Sequence, residues 1–162
     1  LNPRVASAAL ALVTVATEEK SVVTSFSSGS NRYGYGRRGQ GLDGISVLDI
    51  SPKMRLTDVM AKVNNLPFGG TDVSLPMLWA DKNAPETEAI SVFTDSDTWS
   101  GTIHPSQALN KLRKNHGRDV RLATVAMTSN GYSIADPMDS GMMDFVGFDS
   151  SGPTLMSDFF RG

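Results

Sequence analysis

The feature that most constrains the fold is a strand–helix–strand unit in the second half of the chain. Residues 89–93 (AISVF) form an apolar, β-branched run. Residues 104–115 follow with helical spacing, with Ala108, Leu109 and Leu112 facing inward, and Gly117 closes that helix. Residues 120–127 (VRLATVAM) then form a second strand-like run. Apolar strand-like runs on either side of a helix-spaced segment mark a β–α–β unit. A glycine just past the last periodic residue stops a helix because it enters the left-handed conformation without steric cost. Two strands joined through a helix lie parallel, so the unit predicts an α/β fold with a mostly parallel sheet covered on both faces.

The same alternation runs through the rest of the chain. Asn2 is placed to cap a first helix and Pro3 to occupy its first turn, with Ala- and Leu-rich sequence through Ala16. Ala9, Leu10, Leu12, Val13 and Ala16 are apolar on most faces, so this helix is expected to be well covered. Residues 21–26 and 45–50 read as strands, the second at a sheet edge and ended by Pro52. Leu56, Val59, Met60 and Val63 follow helical spacing. A helix over 73–82 would hold Pro76 in its first turn and be capped by Thr71 or Asp72. Residues 141–148 include a last strand and 154–160 a last helix. Trp79 and Trp99 read as packing residues, and Met138, Met142 and Met143 as fillers around the last strand.

Composition narrows the functional classes. A length of 162 residues suits one domain, and 40% apolar content supplies a core. A net charge of −2 gives no global attraction to nucleic acid or anionic lipid. The absence of cysteine excludes disulfides and thiolate chemistry, and with no apolar run near the roughly 20 residues of a membrane span, the expectation is a cytoplasmic protein without membrane contact. The first residue is Leu, so the chain reads as part of something longer.

Candidate chemistry gathers at two turns. Gly69-Gly70-Thr71-Asp72 offers a hydroxyl and a carboxylate before a helix, and Val92-Phe93-Thr94-Asp95 places a carboxylate at the end of a strand. Ligands in parallel sheets bind at the carboxyl ends of strands. Mg²⁺ takes about six oxygen ligands and keeps several waters, so Thr71 and Asp95 suit it as ligands, with Asp72 and Asp97 in an outer shell. The same residues equally serve as helix cap and turn formers. Asp49-Ile50-Ser51-Pro52-Lys53 imitates a metal loop, but a lysine stands where a second hydroxyl is needed. His104 and His116 sit at opposite ends of one helix, roughly 18 Å apart at 1.5 Å per residue. No nucleophile elbow or phosphate-binding P-loop is present. A hydrolase using metal-bound water lacks a third strong ligand.

Residues 29–44 read as a long mobile loop, in which Arg32, Arg37 and Arg38 alternate with Tyr33 and Tyr35. Arginine pairs with phosphate and tyrosine stacks on unpaired bases, so this loop is the better RNA candidate. A solvated hairpin tip is the alternative. Lys111, Arg113, Lys114 and Arg118 read as a solvated helix face.

Phe68-Gly69-Gly70-Thr71-Asp72-Val73-Ser74-Leu75-Pro76-Met77-Leu78-Trp79-Ala80 resembles the segment after the mid-domain helix in Ro ribonucleoprotein homologues. Val92-Phe93-Thr94-Asp95, Ile103-His104-Pro105, the stretch from Ala126 through Tyr132, Ile134-Ala135-Asp136-Pro137 and Gly147-Phe148-Asp149 extend the match in order. The chain thus resembles the C-terminal von Willebrand factor A-like domain of Ro-type (TROVE) proteins. The resemblance implies a Rossmann-like, doubly wound sheet and a metal-ion-dependent adhesion site (MIDAS). That site would combine a D-x-S-x-S loop with a turn threonine and a strand-end aspartate; Thr71 and Asp95 match the last two.

The D-x-S-x-S loop and its central strand would precede Leu1, so the domain over 1–162 is expected to be incomplete at its N-terminus. An unfilled strand slot leaves backbone groups unpaired at about 1–3 kcal/mol each. Against a stability of about 5–15 kcal/mol, the expectation is that residues 1–162 do not fold stably alone. The resemblance also implies a non-enzymatic ring-closing role, with an upstream ring of helical repeats as the main reader of small noncoding (Y-like) and misfolded RNAs. The alternative is a metal-dependent adhesion or assembly domain with a protein partner at the metal and no RNA role.

Overall fold

The computed structural model describes residues 2–26, 44–66, 72–94, 103–126, 133–147 and 149–162. The chain divides into two compact units, Leu1–Gly70 and Thr71–Gly162.

The first unit contains α1 (Pro3–Thr17), the strands β1 (Val23–Phe26) and β2 (Ile45–Leu48), and α2 (Leu56–Asn64). α1 starts as its sequence dictates. Asn2 Oδ1 accepts the Arg4 N–H at 3.0 Å, and Pro3 sits in the first turn, where a missing N–H costs nothing. Ala6, Ala8 and Leu10 are buried, but Val13 is 51% exposed, so the cover over α1 stops at mid-helix. Thr14 and Thr17 turn their hydroxyls back onto the carbonyls of Leu10 and Val13, a way of satisfying polar groups on a solvated turn. α1 packs with α2, which buries Val59. β1 and β2 pair antiparallel, Val23 opposite Leu48 and Phe26 opposite Ile45. At 51–54, Ser51 Oγ accepts the Lys53 N–H and Ser51 O the Met54 N–H, so the imitation metal loop is an ordinary turn.

The second unit contains α3 (Leu75–Asn83), β3 (Ala89–Thr94), α4 (Pro105–His116), β4 (Arg121–Ala126), β5 (Met142–Val146) and α5 (Gly152–Arg161). Its sheet has the order β3-β4-β5 and is parallel throughout. Val92 lies opposite Thr124, and Thr124 opposite Asp144. β4, between two strands, is buried at every position from Leu122 to Ala126. That burial on both faces is why it reads as a near-continuous apolar run.

α4 buries Ala108, Leu109 and Leu112, the inward stripe its spacing predicts, and ends at Gly117 with φ 60°. α3 and α4 pack together. Their C-terminal ends are tied: His116 Nε2 lies 2.9 Å from Asp81 Oδ1, and Asn115 Nδ2 donates to both Asp81 carboxylate oxygens at 3.0 Å.

Arg113 corrects the expectation of a wholly solvated basic face on α4. It is 17% exposed, donates from Nε to the Val120 carbonyl at 2.8 Å and pairs with Asp139 at 2.5 Å. Lys111 and Lys114 are exposed as expected. Of the three methionines assigned to packing, only Met142 is buried; Met138 is 91% exposed and Met143 41%. Strand alternation accounts for Met143, which follows Met142 and so points to the other face.

Candidate metal centre

Chain direction sets where the candidate site falls. β3, β4 and β5 run in one direction, so Thr94, Ala126 and Val146 end at the same edge of the sheet. α4 starts at that edge, because it leaves the end of β3 and returns to the start of β4. α3 starts there too, since its C-terminal end is pinned beside that of α4.

Asp72 sits at the start of α3. Its Oδ1 accepts the backbone N–H of Ser74 at 3.0 Å and the Ser74 hydroxyl at 2.5 Å. Ser74 itself is 1% exposed. The carboxylate thus anchors the turn entering α3, which is the capping role its sequence position predicts. Asp149 and Ser151 repeat the device before α5, where Asp149 Oδ1 takes the Ser151 N–H at 2.7 Å and the Gly152 N–H at 3.1 Å. Its hydrogen bonds to the Ser151 hydroxyl and backbone hold the Asp149 carboxyl below the ordinary aspartate value.

His104 caps α4. Its Nδ1 accepts the Ser106 N–H at 3.2 Å and lies 2.7 Å from the Ser106 hydroxyl, while Gln107 Oε1 accepts the His104 N–H at 3.1 Å. These reciprocal bonds form a capping box in which an imidazole replaces the usual hydroxyl. They assign His104 to helix initiation, and His116 is committed to Asp81 at the other end.

Asp144, in the middle of β5, organises the connection that leads into that strand. It accepts the Ser133 hydroxyl at 2.5 Å, the Ile134 N–H at 2.9 Å and the Ala135 N–H at 3.0 Å. One carboxylate thereby fixes the backbone that leads from β4 toward β5. Sequence reasoning missed it. The signal was a lone aspartate inside an apolar strand, MMDFV, where a carboxylate has to find donors.

Thr71, Asp95 and Asp97 lie outside the described residues. So do Trp99, Arg32, Tyr33, Tyr35, Arg37, Arg38 and all of the 29–44 loop except Gly44. Among the described residues, no group of three or more His, Cys, Asp or Glu side chains is arranged to hold a metal. The metal reading therefore rests on the donor chemistry of Thr71 and Asp95, which neighbour Asp72 and Thr94 in sequence. Hydroxyl and carboxylate oxygens are hard donors and fit Mg²⁺.

Parallel strands joined through helices define a Rossmann-like α/β domain. Comparison with known proteins narrows the class. The family described as "Ro60 vWA domain" matches residues 1–160, and the chain belongs to that family. It is 34% identical over 162 residues to the "RNA-binding protein RO60" of Deinococcus radiodurans, covering all of this chain and 28% of that protein. It is 41% identical over 121 residues to the "RNA-binding protein RO60" of Caenorhabditis elegans, covering 74% of this chain and 19% of that protein. The crystal structure of the Deinococcus radiodurans RO (RSR) protein superimposes with a TM-score of 0.83 at 34% identity, over 99% of this chain and 29% of that one. The chain spans less than a third of the length of each of these relatives. Among the described residues, no helix is long and apolar enough to cross a membrane.

Proposed function

We propose that this chain is a non-enzymatic A-type domain of a cytoplasmic Ro-type RNA-binding protein. In that protein it joins the ends of a helical-repeat ring that reads small noncoding, Y-like and misfolded RNAs. The observation that carries the reading is the family match over residues 1–160, together with relatives named for RNA binding.

Within this role, Thr71 and Asp95 would hold a divalent cation, Mg²⁺ above all, directly or through water. Asp72 and Asp97 would steady its outer shell. The residues would be completed by a D-x-S-x-S loop elsewhere in the protein, and the cation would supply a Lewis-acidic anchor for an oxygen ligand, such as a partner protein's carboxylate. Asp72 is suited to the outer shell because Ser74 already fixes one of its oxygens.

The test of the RNA role is a mobility-shift titration of the full-length protein with a small structured noncoding RNA. Saturable binding is expected. Absence of binding across the salt range would overturn the RNA role and leave a metal-dependent assembly domain. The 29–44 loop is assigned an accessory contact. Replacing Arg32, Arg37 and Arg38 with Ala should flatten the salt dependence of RNA binding by up to about 2–3 units of log–log slope. An unchanged slope returns the loop to a solvated role.

A further inference from the structure

At the opposite edge of the parallel sheet, where its strands begin, three arginines line one groove. Arg118, Arg121 and Arg161 surround an open space of about 360 Å³ with Glu88, Asp119 and Phe160. The groove is assembled from separate elements. Glu88 precedes β3, Arg118 and Asp119 lie between α4 and β4, Arg121 opens β4, and Phe160 and Arg161 end α5.

One guanidinium is pre-positioned. Arg121 Nη1 donates to the Phe159 carbonyl at 2.5 Å, and its guanidinium carbon lies 5.7 Å from the Phe159 ring centroid. Arg118 donates to the Glu86 carbonyl at 3.2 Å and lies 3.7 Å from Glu88, whose side chain is 86% exposed. Arg161 is exposed, and its side chain makes no hydrogen bond or ion pair among the described residues.

Capping the carbonyl ends of helices explains part of this arrangement, since cations favour helix C-termini. It does not use the groove's donor capacity. Each arginine carries about five N–H donors in a planar fork. Capping engages one donor of Arg121, and the contacts to Glu86 and Glu88 engage Arg118 through Nη1 alone. Three arginines against Glu88 and Asp119 leave a formal charge of 3 − 2 = +1 in the groove. That surplus suits a single phosphodiester at a time. Phe160, half-buried at the groove and 5.4 Å from the Phe159 ring, adds an aromatic surface beside the cations.

We propose that this groove is a phosphate subsite for single-stranded RNA. Arg118, Arg121 and Arg161 donate to phosphodiester oxygens, and Phe160 receives a neighbouring base by stacking. The proposal rests on the RNA-binding reading above. It places an RNA contact at the edge of the sheet opposite the candidate metal centre.

The test uses the full-length protein and a labelled oligouridylate, read by fluorescence anisotropy across a potassium chloride series. Arg161→Ala and Arg118→Ala should each weaken binding several-fold and flatten the log–log salt slope by a fraction of the roughly 0.7 that one single-strand phosphate contributes. Glu88→Gln removes a competing, solvent-exposed carboxylate and should tighten binding, an outcome that misfolding cannot produce. A probe carrying 4-thiouridine should photocrosslink to the peptide containing Phe160.

Wild-type binding with unchanged affinity and slope in all three variants overturns the subsite while leaving the RNA-binding reading intact. Displacement of the probe by inorganic phosphate at equal phosphate concentration overturns the RNA assignment in favour of a free-anion site. A wild-type protein that binds neither this probe nor structured RNA overturns the RNA-binding reading and the subsite with it.

Discussion

Asp139→Asn probes how α4 is joined to the sheet. Asp139 receives Arg113 through Nη1 at 2.5 Å and Nη2 at 3.4 Å, and its Oδ1 also accepts the Gly141 N–H at 2.8 Å. Arg113 reaches back to the carbonyl of Val120, a residue with 0% exposure. The pair therefore clamps α4 to the residue that precedes β4 and to the end of the β4–β5 connection just before β5. Asparagine keeps the shape and one acceptor but removes the charge.

Exposed ion pairs contribute about 0–1 kcal/mol, and breaking a fully buried pair costs about 3–5 kcal/mol. With side chains 17% and 19% exposed, this pair lies between those limits, so the expected loss is about 2 kcal/mol near neutral pH. At 1.4 kcal/mol per decade, that is about a thirty-fold rise in hydrogen exchange through opening of the clamp. Native-state exchange by mass spectrometry, on peptides covering 121–126 and 139–146 of the full-length protein, reads it locally.

The pH dependence follows from the direction of the Asp139 shift. The Arg113 guanidinium bonded to its carboxyl, helped by the Gly141 N–H, holds its pKa below the ordinary 3.8. The unfolded chain therefore binds the proton more readily. The pair's contribution is fully present above that ordinary value and is lost as pH falls through the lower folded pKa. The difference between wild type and Asp139→Asn should shrink as pH falls below about 4. A difference under about 0.5 kcal/mol at pH 7, or one that does not change with pH, would refute the clamp.

Substitutions at two further positions test local roles in the second unit. His104→Ala should destabilise α4 by about 1 kcal/mol and His104→Asn by much less, since asparagine restores a capping acceptor. Equal losses in a urea titration would contradict the cap. Asp144→Ala strips the acceptor from the Ile134 and Ala135 N–H groups and should cost about 2 kcal/mol. Exchange of those two amides, followed by NMR, should accelerate at least ten-fold, and unchanged rates would show that other acceptors hold the segment.

Local physics made much of the fold legible in the sequence. Asn2-Pro3, the inward stripe of α4 and Gly117 each specify structure through neighbours within a turn or two, so their reading needs no tertiary knowledge. β4 announced itself because a strand buried on both faces must be apolar throughout. What stayed hidden depends on partners distant in sequence. Asp139 lies 26 residues from Arg113 and Asp81 lies 35 from His116, and no local pattern distinguishes a clamped arginine from a solvated one. The exposure of Val13 and Met138 was hidden for the same reason, because apolar composition does not reveal which neighbours exist. The groove of Arg118, Arg121 and Arg161 forms only when three element ends meet. Thr71 and Asp95 were selected by type and turn position, as hydroxyl and carboxylate after glycine or strand, and the capping of α3 by Asp72 shows that such a turn carries a structural duty.

The proposed contribution of Thr71 and Asp95 to a divalent-metal site can be measured on the full-length protein. Its most direct test is isothermal titration of the full-length, chelator-treated protein with Mg²⁺, and with Mn²⁺ as a second probe, alongside Thr71→Ala and Asp95→Ala. One saturable site in the wild type, weakened at least ten-fold by either substitution while the thermal transition of the metal-free protein stays unchanged, is the predicted result. Wild-type affinity in both variants would contradict the assignment.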